Sequence, residues 1–394
     1  MLPALVARPG PQPVADRPDH AAAVLRAVLD RGPVARTAIV RATGLSAAAV
    51  SRHTADLIGM GLLWQPPESA QPPRPGRPSI PLDIDSSHHL AAGVHIAVPH
   101  LTFSLTDLRG RVVASAHLPR ADRPGEVLGE VAARLPAFLS RHAAGRSVLG
   151  LGVVTGGWVD PEAGVLVENA ALGWRDVPVR DALRRAVRLP VHVEGHARAL
   201  AHAEMLFGRV GAEVLVHLFV GNAVDAAIAT GGVLLQGRRH GTGGIAHLPV
   251  PGSSRPCPCG RTGCLQATVS DRVLAATAVA EGVVPRADVQ LLVRAAHEGD
   301  ERAVELCRSR LRMVARAVRP MLEVISPHAV VLTEAATLQL PHLLPELSRE
   351  LGRADNLVRA GSFGPDTLAV AAAVPVLAAV YQDPSGLHTV GSAR

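Results

Sequence analysis

Residues 240–267 read HGTGGIAHLPVPGSSRPCPCGRTGCLQA and gather three of the chain's four cysteines into Cys257-x-Cys259-x4-Cys264, with His247 upstream. That is metal-ligand spacing. Zn2+ takes four nitrogen or sulfur ligands in a tetrahedron, and one imidazole with three thiolates fills every position and leaves none for water. A closed set of this kind builds structure. Gly260 and Gly263 let the backbone turn tightly enough for the third sulfur to reach the ion, and Pro256 and Pro258 stiffen the approach. The competing reading, three unrelated buried thiols, asks a cysteine-poor chain to place four suitable ligands together by chance.

The same stretch resembles the ROK family (repressors, open reading frames and sugar kinases), whose zinc motif reads C-x-C-G-x-x-G-C-L-E after G-E-x-G-H. Here the frame stands as Cys257-Pro-Cys259-Gly260-Arg-Thr-Gly263-Cys264-Leu265-Gln266, preceded by Gly243-Gly244-Ile245-Ala246-His247. The metal ligands match, while the two glutamates are replaced by Gly244 and Gln266. The resemblance implies an actin-like ATPase fold of two α/β lobes flanking a cleft, over roughly residues 20 to 382.

A chain of 394 residues holds two or three domains, and 48% hydrophobic content excludes wholesale disorder. The start, MLPALVARPGPQPVADRPDH, lacks the basic-then-apolar order of a secretion signal, and the most apolar stretch, Thr367 to Val380, is too short to span a bilayer and contains Pro375. Thiolate ligands and the lone Cys307 fit a reducing compartment. A cytoplasmic protein without a membrane partner is the expectation. The net charge is +6, and every residue of the Lys+Arg total is arginine. Arginine suits phosphate and guanine edges, yet a GC-rich genome would write the same bias, so the charge alone proves little.

The amino-terminal region reads as helix, helix, tight turn, capped helix and strand. Ala23, Val24, Ala27 and Val28 recur at helical spacing until Gly32-Pro33, and a short helix follows from Thr37 to Thr43. After Gly44-Leu45, Ser46 caps a third helix with Val50, Leu57 and Ile58 as its inner stripe, and residues 59–64 run into a strand. This order describes a winged helix-turn-helix, rich in helix. With that stripe inward, Ser46, Ala47, Ala48, Ser51 and Arg52 face outward to DNA. Between residues 65 and 81, Arg74-Pro75-Gly76-Arg77-Pro78 is held extended by its prolines, as a minor-groove arm or an interdomain linker would be, and the two roles are compatible. The expected division is a flexible tail over 1–18, the winged head over 19–64, a Pro/Arg-rich wing and linker over 65–82, and an effector and dimerisation domain over 83–394.

From residue 83 onward strand triplets are followed by alternating helices and strands, twice over, which suggests two lobes. A ROK sugar kinase carries D-x-G-G-T after its first strand. Here the turn reads His95-Ile96-Ala97-Val98-Pro99, with the acid and both glycines gone. The second glycine loop of the family, G-T-G-x-G-x-G, is replaced by Gly221-Asn222-Ala223-Val224-Asp225-Ala226-Ala227, and the glycine pair that admits adenosine by Thr333-Glu334. The catalytic Asn-Asp pair is Gly195-His196. The family's sugar-binding positions fall on Ala171, Gly195, His196, Gly244 and Gln266, so an ordinary hexose is not the expected effector and the cleft should be roomier and less polar.

The reading is therefore a ROK-type transcription regulator, not an enzyme. It binds double-stranded operator DNA as a homodimer or tetramer, with one zinc held by His247, Cys257, Cys259 and Cys264. Two rivals stand beside it: a divergent sugar kinase, and a constitutive DNA-binding protein without an effector.

Overall fold

β1 (Leu5–Val6) pairs antiparallel with His388–Thr389 at the other end of the chain, in a computed structural model that describes residues 5–6, 19–66, 80–98, 100–208, 210–237, 243–352 and 357–389. Those two residues lie inside the stretch read as a flexible tail and are instead held by backbone pairing. α1 (His20–Arg31) begins where the Asp19 carboxylate accepts from the Ala21 N–H at 2.8 Å, and it buries Val24, Leu25 and Val28. α2 (Arg36–Thr43) stops at Gly44, whose φ is 69°. α3 (Ala47–Gly59) is capped by Ser46, whose hydroxyl accepts from Ala49 N–H at 3.2 Å. Its inner stripe is Val50, Thr54 and Leu57, and Ile58 sits half-buried on the flank. Successive turns return to 50, 54 and 57, and Thr54 is tolerated inside because its hydroxyl donates to the Ser51 carbonyl (3.0 Å) and accepts from Arg36 Nε (3.2 Å). β2 (Leu63–Trp64) pairs antiparallel with β3 (Asp83–Ile84) and closes the wing.

The first lobe opens with the meander β4 (His89–Ile96), β5 (His100–Asp107) and β6 (Val112–Pro119). After α4 (Pro124–His142), β7 (Ser147–Thr155) lies parallel to β4. A small side sheet follows, of β8 (Trp158–Asp160), β9 (Val165–Asn169) and β10 (Trp174–Val177). Then α5 (Val179–Val187) leads to β11 (Val191–Gly195), parallel to β7, and α6 (His196–Phe207) leaves the strand without a loop. β4 is buried along its whole length because both faces are covered, whereas β6, at the edge, alternates half-buried and exposed.

The second lobe repeats the pattern. β12 (Val214–Val220), β13 (Val224–Thr230) and β14 (Val233–Leu234) form the meander; the cysteine loop, α7 (Leu265–Val269), α8 (Asp271–Ala280), α9 (Val289–His297) and α10 (Glu301–Ile325) follow. β15 (Ala329–Glu334) lies parallel to β12, and α11 (Ala335–Gln339) and α12 (Leu343–Glu350) precede β16 (Val358–Ala360). Read in opposite directions, the strand orders β11-β7-β4-β5-β6 and β16-β15-β12-β13-β14 correspond strand for strand.

α13 (Thr367–Gln382) returns to the first lobe and lies across β4, β5 and β7 and along α6. A Cβ on Gly152 would stand 2.1 Å from the Ala372 carbonyl oxygen, so only glycine lets the helix approach the sheet this closely. With the turn before it, the helical run Gly364–Gln382 is long and apolar enough to cross a membrane, longer than the Thr367–Val380 stretch suggested; 67% of its most apolar window is buried inside the protein. The head shares this packing. Val24, Leu25 and Val28 belong to one apolar cluster with Val376, Leu377, Val380 and Tyr381. Asp83 pairs with Arg109, and the His89 ring bonds the Met60 carbonyl at 2.8 Å.

Candidate functional site

On the outer face of the head, Ser46, Ala47, Ala48, Ser51 and Arg52 are all exposed at the start of α3, with Ser46 spending its hydroxyl on the cap. Arg52 is the one long donor of the five. Arg74 and Arg77 lie outside the described residues, in the segment joining β2 to β3.

The cysteine loop is pinned on both sides of its ligands. Cys257 N–H donates to the Arg261 carbonyl (2.8 Å), Leu265 N–H to the Leu248 carbonyl (2.8 Å), and the Thr268 hydroxyl to the Cys264 carbonyl (2.9 Å), while Ile245, Val250 and Leu265 sink into the second-lobe core. Gly260 and Gly263 take φ of 85° and 69°. The result brings His247, Cys257, Cys259 and Cys264 together, their ligand atoms all within 4.8 Å of one another. Cys259 Sγ lies 3.7 Å from Cys264 Sγ, and Cys257 Sγ 3.7 Å from His247 Nδ1. A tetrahedron built on the usual Zn–S distance of about 2.3 Å has edges of about 3.8 Å, so the four atoms fit that ion. The Arg261 N–H and guanidinium hold the Cys259 thiol down at about 6, while burial pushes that of Cys264 up to about 11. A divalent cation among them would make thiolates of all three sulfurs.

The interlobe cleft has two chambers that share Asn169, Ala171, Asn222, Ala223 and Arg272. The larger, of about 860 Å³, is lined by Ala171, Gly195, Gly244 and Gln266, with the cysteine loop as one wall. The smaller, of about 640 Å³, takes Ala171 again together with His95 and His196. Gln266 is not free to bind a ligand. Its Oε1 accepts from Val224 N–H at 2.6 Å and its Nε2 donates to the Asn222 carbonyl, pinning the β12–β13 turn.

Polar side chains other than those at the family's sugar-binding positions line the cleft. Arg198, buried in the first turns of α6, donates through Nε to Glu194 (3.0 Å) and through a terminal nitrogen to the Leu235 carbonyl (3.1 Å), and it lines the larger chamber. Asp225 faces the same space, its carboxyl pushed up to about 8 by burial. Sequence reasoning missed Arg198 as a cleft residue; the Glu194–Arg198 spacing of four was the available signal.

At the positions of the kinase loops, Glu334 forms a buried ion pair with Arg310 (2.9 Å) and accepts from Thr337 N–H (2.9 Å), while Arg310 also binds Asp271 (2.7 Å) and the Val220 carbonyl (3.2 Å). A buried triad of two carboxylates and one guanidinium occupies the place opened by two glycines in a kinase. His196 opens α6, and burial holds its ring well below the ordinary histidine range. Pro99 lies outside the described residues.

The ROK family profile matches residues 91–354. Transcriptional regulator Rv0485 of Mycobacterium tuberculosis is 31% identical over 386 residues, covering 93% of this chain and 86% of that protein. The DNA-binding transcriptional dual regulator NagC of Escherichia coli is 27% identical over 339 residues, covering 82% of each. Among solved structures, a ROK family transcriptional regulator, homolog of the E. coli MLC protein, superposes with a TM-score of 0.75 at 19% identity over 92% of this chain and 98% of that one, a likeness of fold. Cysteine frame, paired sheets and these matches agree: the chain belongs to the ROK family.

Proposed function

We propose that the protein is a ROK-type transcriptional regulator that binds double-stranded operator DNA through its amino-terminal head and transfers no phosphoryl group. The observation that carries the reading is the presentation of α3. Its amino-terminal turns leave Ser46, Ala47, Ala48, Ser51 and Arg52 exposed, as a helix entering the major groove requires. The match to Rv0485, named as a transcriptional regulator, covers 93% of this chain, which supports the same reading.

Ser46, Ala47, Ala48, Ser51 and Arg52 read or position the groove, and Arg74 and Arg77 act from the wing segment on the minor groove or on phosphate. With one long donor on α3, much of the specificity comes from DNA shape. The functional division places DNA recognition in residues 19–82 and effector sensing with dimerisation in 83–394, in a homodimer or tetramer working in the cytoplasm. A structural zinc on His247, Cys257, Cys259 and Cys264 fixes the cysteine loop against the larger chamber, where an effector other than a common hexose would bind near Ala171, Gly195, Gly244 and Gln266.

The lining of the cleft supports the absence of kinase chemistry. A phosphate entering it would meet the carboxylates of Asp225 and Asp271, and His196, whose ring has no hydrogen-bond partner among the described residues to orient it, is a poor replacement for the family's catalytic base. Selection of binding sequences from random DNA by the full-length protein tests the reading directly.

A further inference from the structure

We propose that the smaller interlobe chamber is a ligand site of its own, taking an uncharged aromatic molecule that bears a hydroxyl or a carboxamide, and that α6 and α13 carry its occupancy to the head. Only the meaning of that signal for DNA rests on the functional reading above.

The chamber's walls are mostly apolar, among them Ile96, Phe219, Ala275 and Leu368. Deep within it, His95 and His196 are 2% and 3% exposed. Their rings lie nearly parallel, at 10° and 5.9 Å, and His196 packs on Phe219 with centroids 3.9 Å apart. Three aromatic rings in a row suit a fourth.

None of the four ring nitrogens of His95 and His196 has a hydrogen-bond partner among the described residues. Two neutral imidazoles leave two N–H donors and two acceptors unsatisfied, where buried polar atoms are ordinarily paired. The nitrogens are sealed as the rings stand, and because both rings line the chamber, a ligand would engage one through a turn about χ2, a soft torsion. A hydroxyl or carboxamide both donates and accepts, so it can pair with either nitrogen.

Charge argues against an anion. Burial holds His95 down at about 4 and His196 below its ordinary range, so neither ring arrives protonated. Asp271 on the chamber wall belongs to a triad of two carboxylates and one guanidinium, and Asp288 at the mouth pairs with Arg286. Arg272 is left as the one positive group facing in without a carboxylate partner among the described residues, and it leans on the Ala171 carbonyl.

The position gives the chamber leverage. α6 begins at His196 and ends at Phe207, beside the Met205 carbonyl that Arg26 of the head grips. α13 puts Leu368 on the chamber wall in its first turn and Tyr381 in the head's apolar cluster in its last. Both helices thus run from chamber to head.

The test uses the full-length, zinc-loaded protein, histidine-ring NMR and amide hydrogen exchange. Phenol and benzamide should shift the His95 and His196 ring signals saturably, with dissociation constants below about 1 mM, and benzoate and inorganic phosphate should bind at least about tenfold more weakly. Leu368→Trp, which fills the chamber from its wall, should weaken phenol at least about tenfold; His196→Leu, a second variant that removes two of the nitrogens, should do the same. Saturating phenol should alter exchange in α1. Failure of both neutral probes to bind, equal binding of benzoate or phosphate, or unchanged phenol affinity in folded variants would overturn the site, and unchanged α1 exchange would overturn the relay. A probe-free protein that ignores DNA would count against the functional reading alone, since neither measurement uses DNA.

Discussion

Arg26 on α1 donates to the Met205 carbonyl on α6 at 2.5 Å, so the head is tied by its own side chain to the helix that begins in the cleft. The same guanidinium pairs with Asp30 at 2.9 Å, but both side chains are near half exposed and that pair contributes little.

Arg26→Ala should therefore loosen the head rather than unfold the protein. A charge-assisted bond at a partly exposed site is worth about 1 kcal/mol, which corresponds to about fivefold faster amide exchange through α1. Exchange that is unaltered in α1 would show that the apolar cluster alone holds the junction.

Elemental analysis should find one zinc per folded chain. Cys257→Ser or Cys264→Ser should abolish binding and cost several kcal/mol of stability, because the binding free energy of a structural metal is part of the folding free energy. A folded, soluble protein with well under one zinc per chain would dismiss the site.

Stability should fall on mild acidification. His95, His202 and His217 are buried and held down at about 4, 3 and 3, against about 6.5 in an unfolded chain. Below pH 6.5 the unfolded state binds more protons, so the stabilisation present above that pH is lost as pH drops, by about 2 kcal/mol per histidine between pH 7 and 5. Asp225, pushed up to about 8, works in the opposite direction and returns about 2–3 kcal/mol over the same interval. These four groups together should cost about 3 kcal/mol, with buried His196 adding to the loss, read from urea midpoints at the two pH values. A midpoint that is level or higher at pH 5 would mean that these rings are not buried in the uncharged form.

Calorimetry with glucose, N-acetylglucosamine, xylose and ATP should show no dissociation constant of about 10 μM or tighter. Each lost charge-assisted hydrogen bond forfeits roughly 1.5–3 kcal/mol, and Ala171, Gly195 and Gly244 can make none through a side chain. Arg198 and Asp225 are the groups that would be responsible if one of these ligands bound tightly.

The cysteine frame was readable because metal geometry dictates residue type and spacing together, and the repeated sheets because their strands are short apolar, β-rich runs between turns. α6 was not. His196-Ala-Arg-Ala-Leu-Ala-His-Ala has no apolar stripe, since the helix is buried on every side between the lobes, and amphipathicity carries no signal there. Missing the helix meant missing Arg198. The strands β8 to β10 run only three to five residues between glycine turns, too short for a period to show. Thr54 was passed over on α3 because a polar residue reads as outward until its two hydrogen bonds are seen.

The proposed regulator reads DNA sequence through its head. The most direct test of this is to select binding sites from random duplex DNA with the full-length protein, then measure the enriched sequence against the unchanged protein and Arg52→Ala, Arg74→Ala and Arg77→Ala across salt concentrations. The account predicts a defined, two-fold symmetric site bound in the range of about 10⁻⁸ M or tighter, a loss of about 1–3 kcal/mol for Arg52→Ala, and a flatter salt slope for Arg74→Ala and Arg77→Ala. An unenriched pool, or a site bound equally well by Arg52→Ala and by a protein lacking the head, would contradict it.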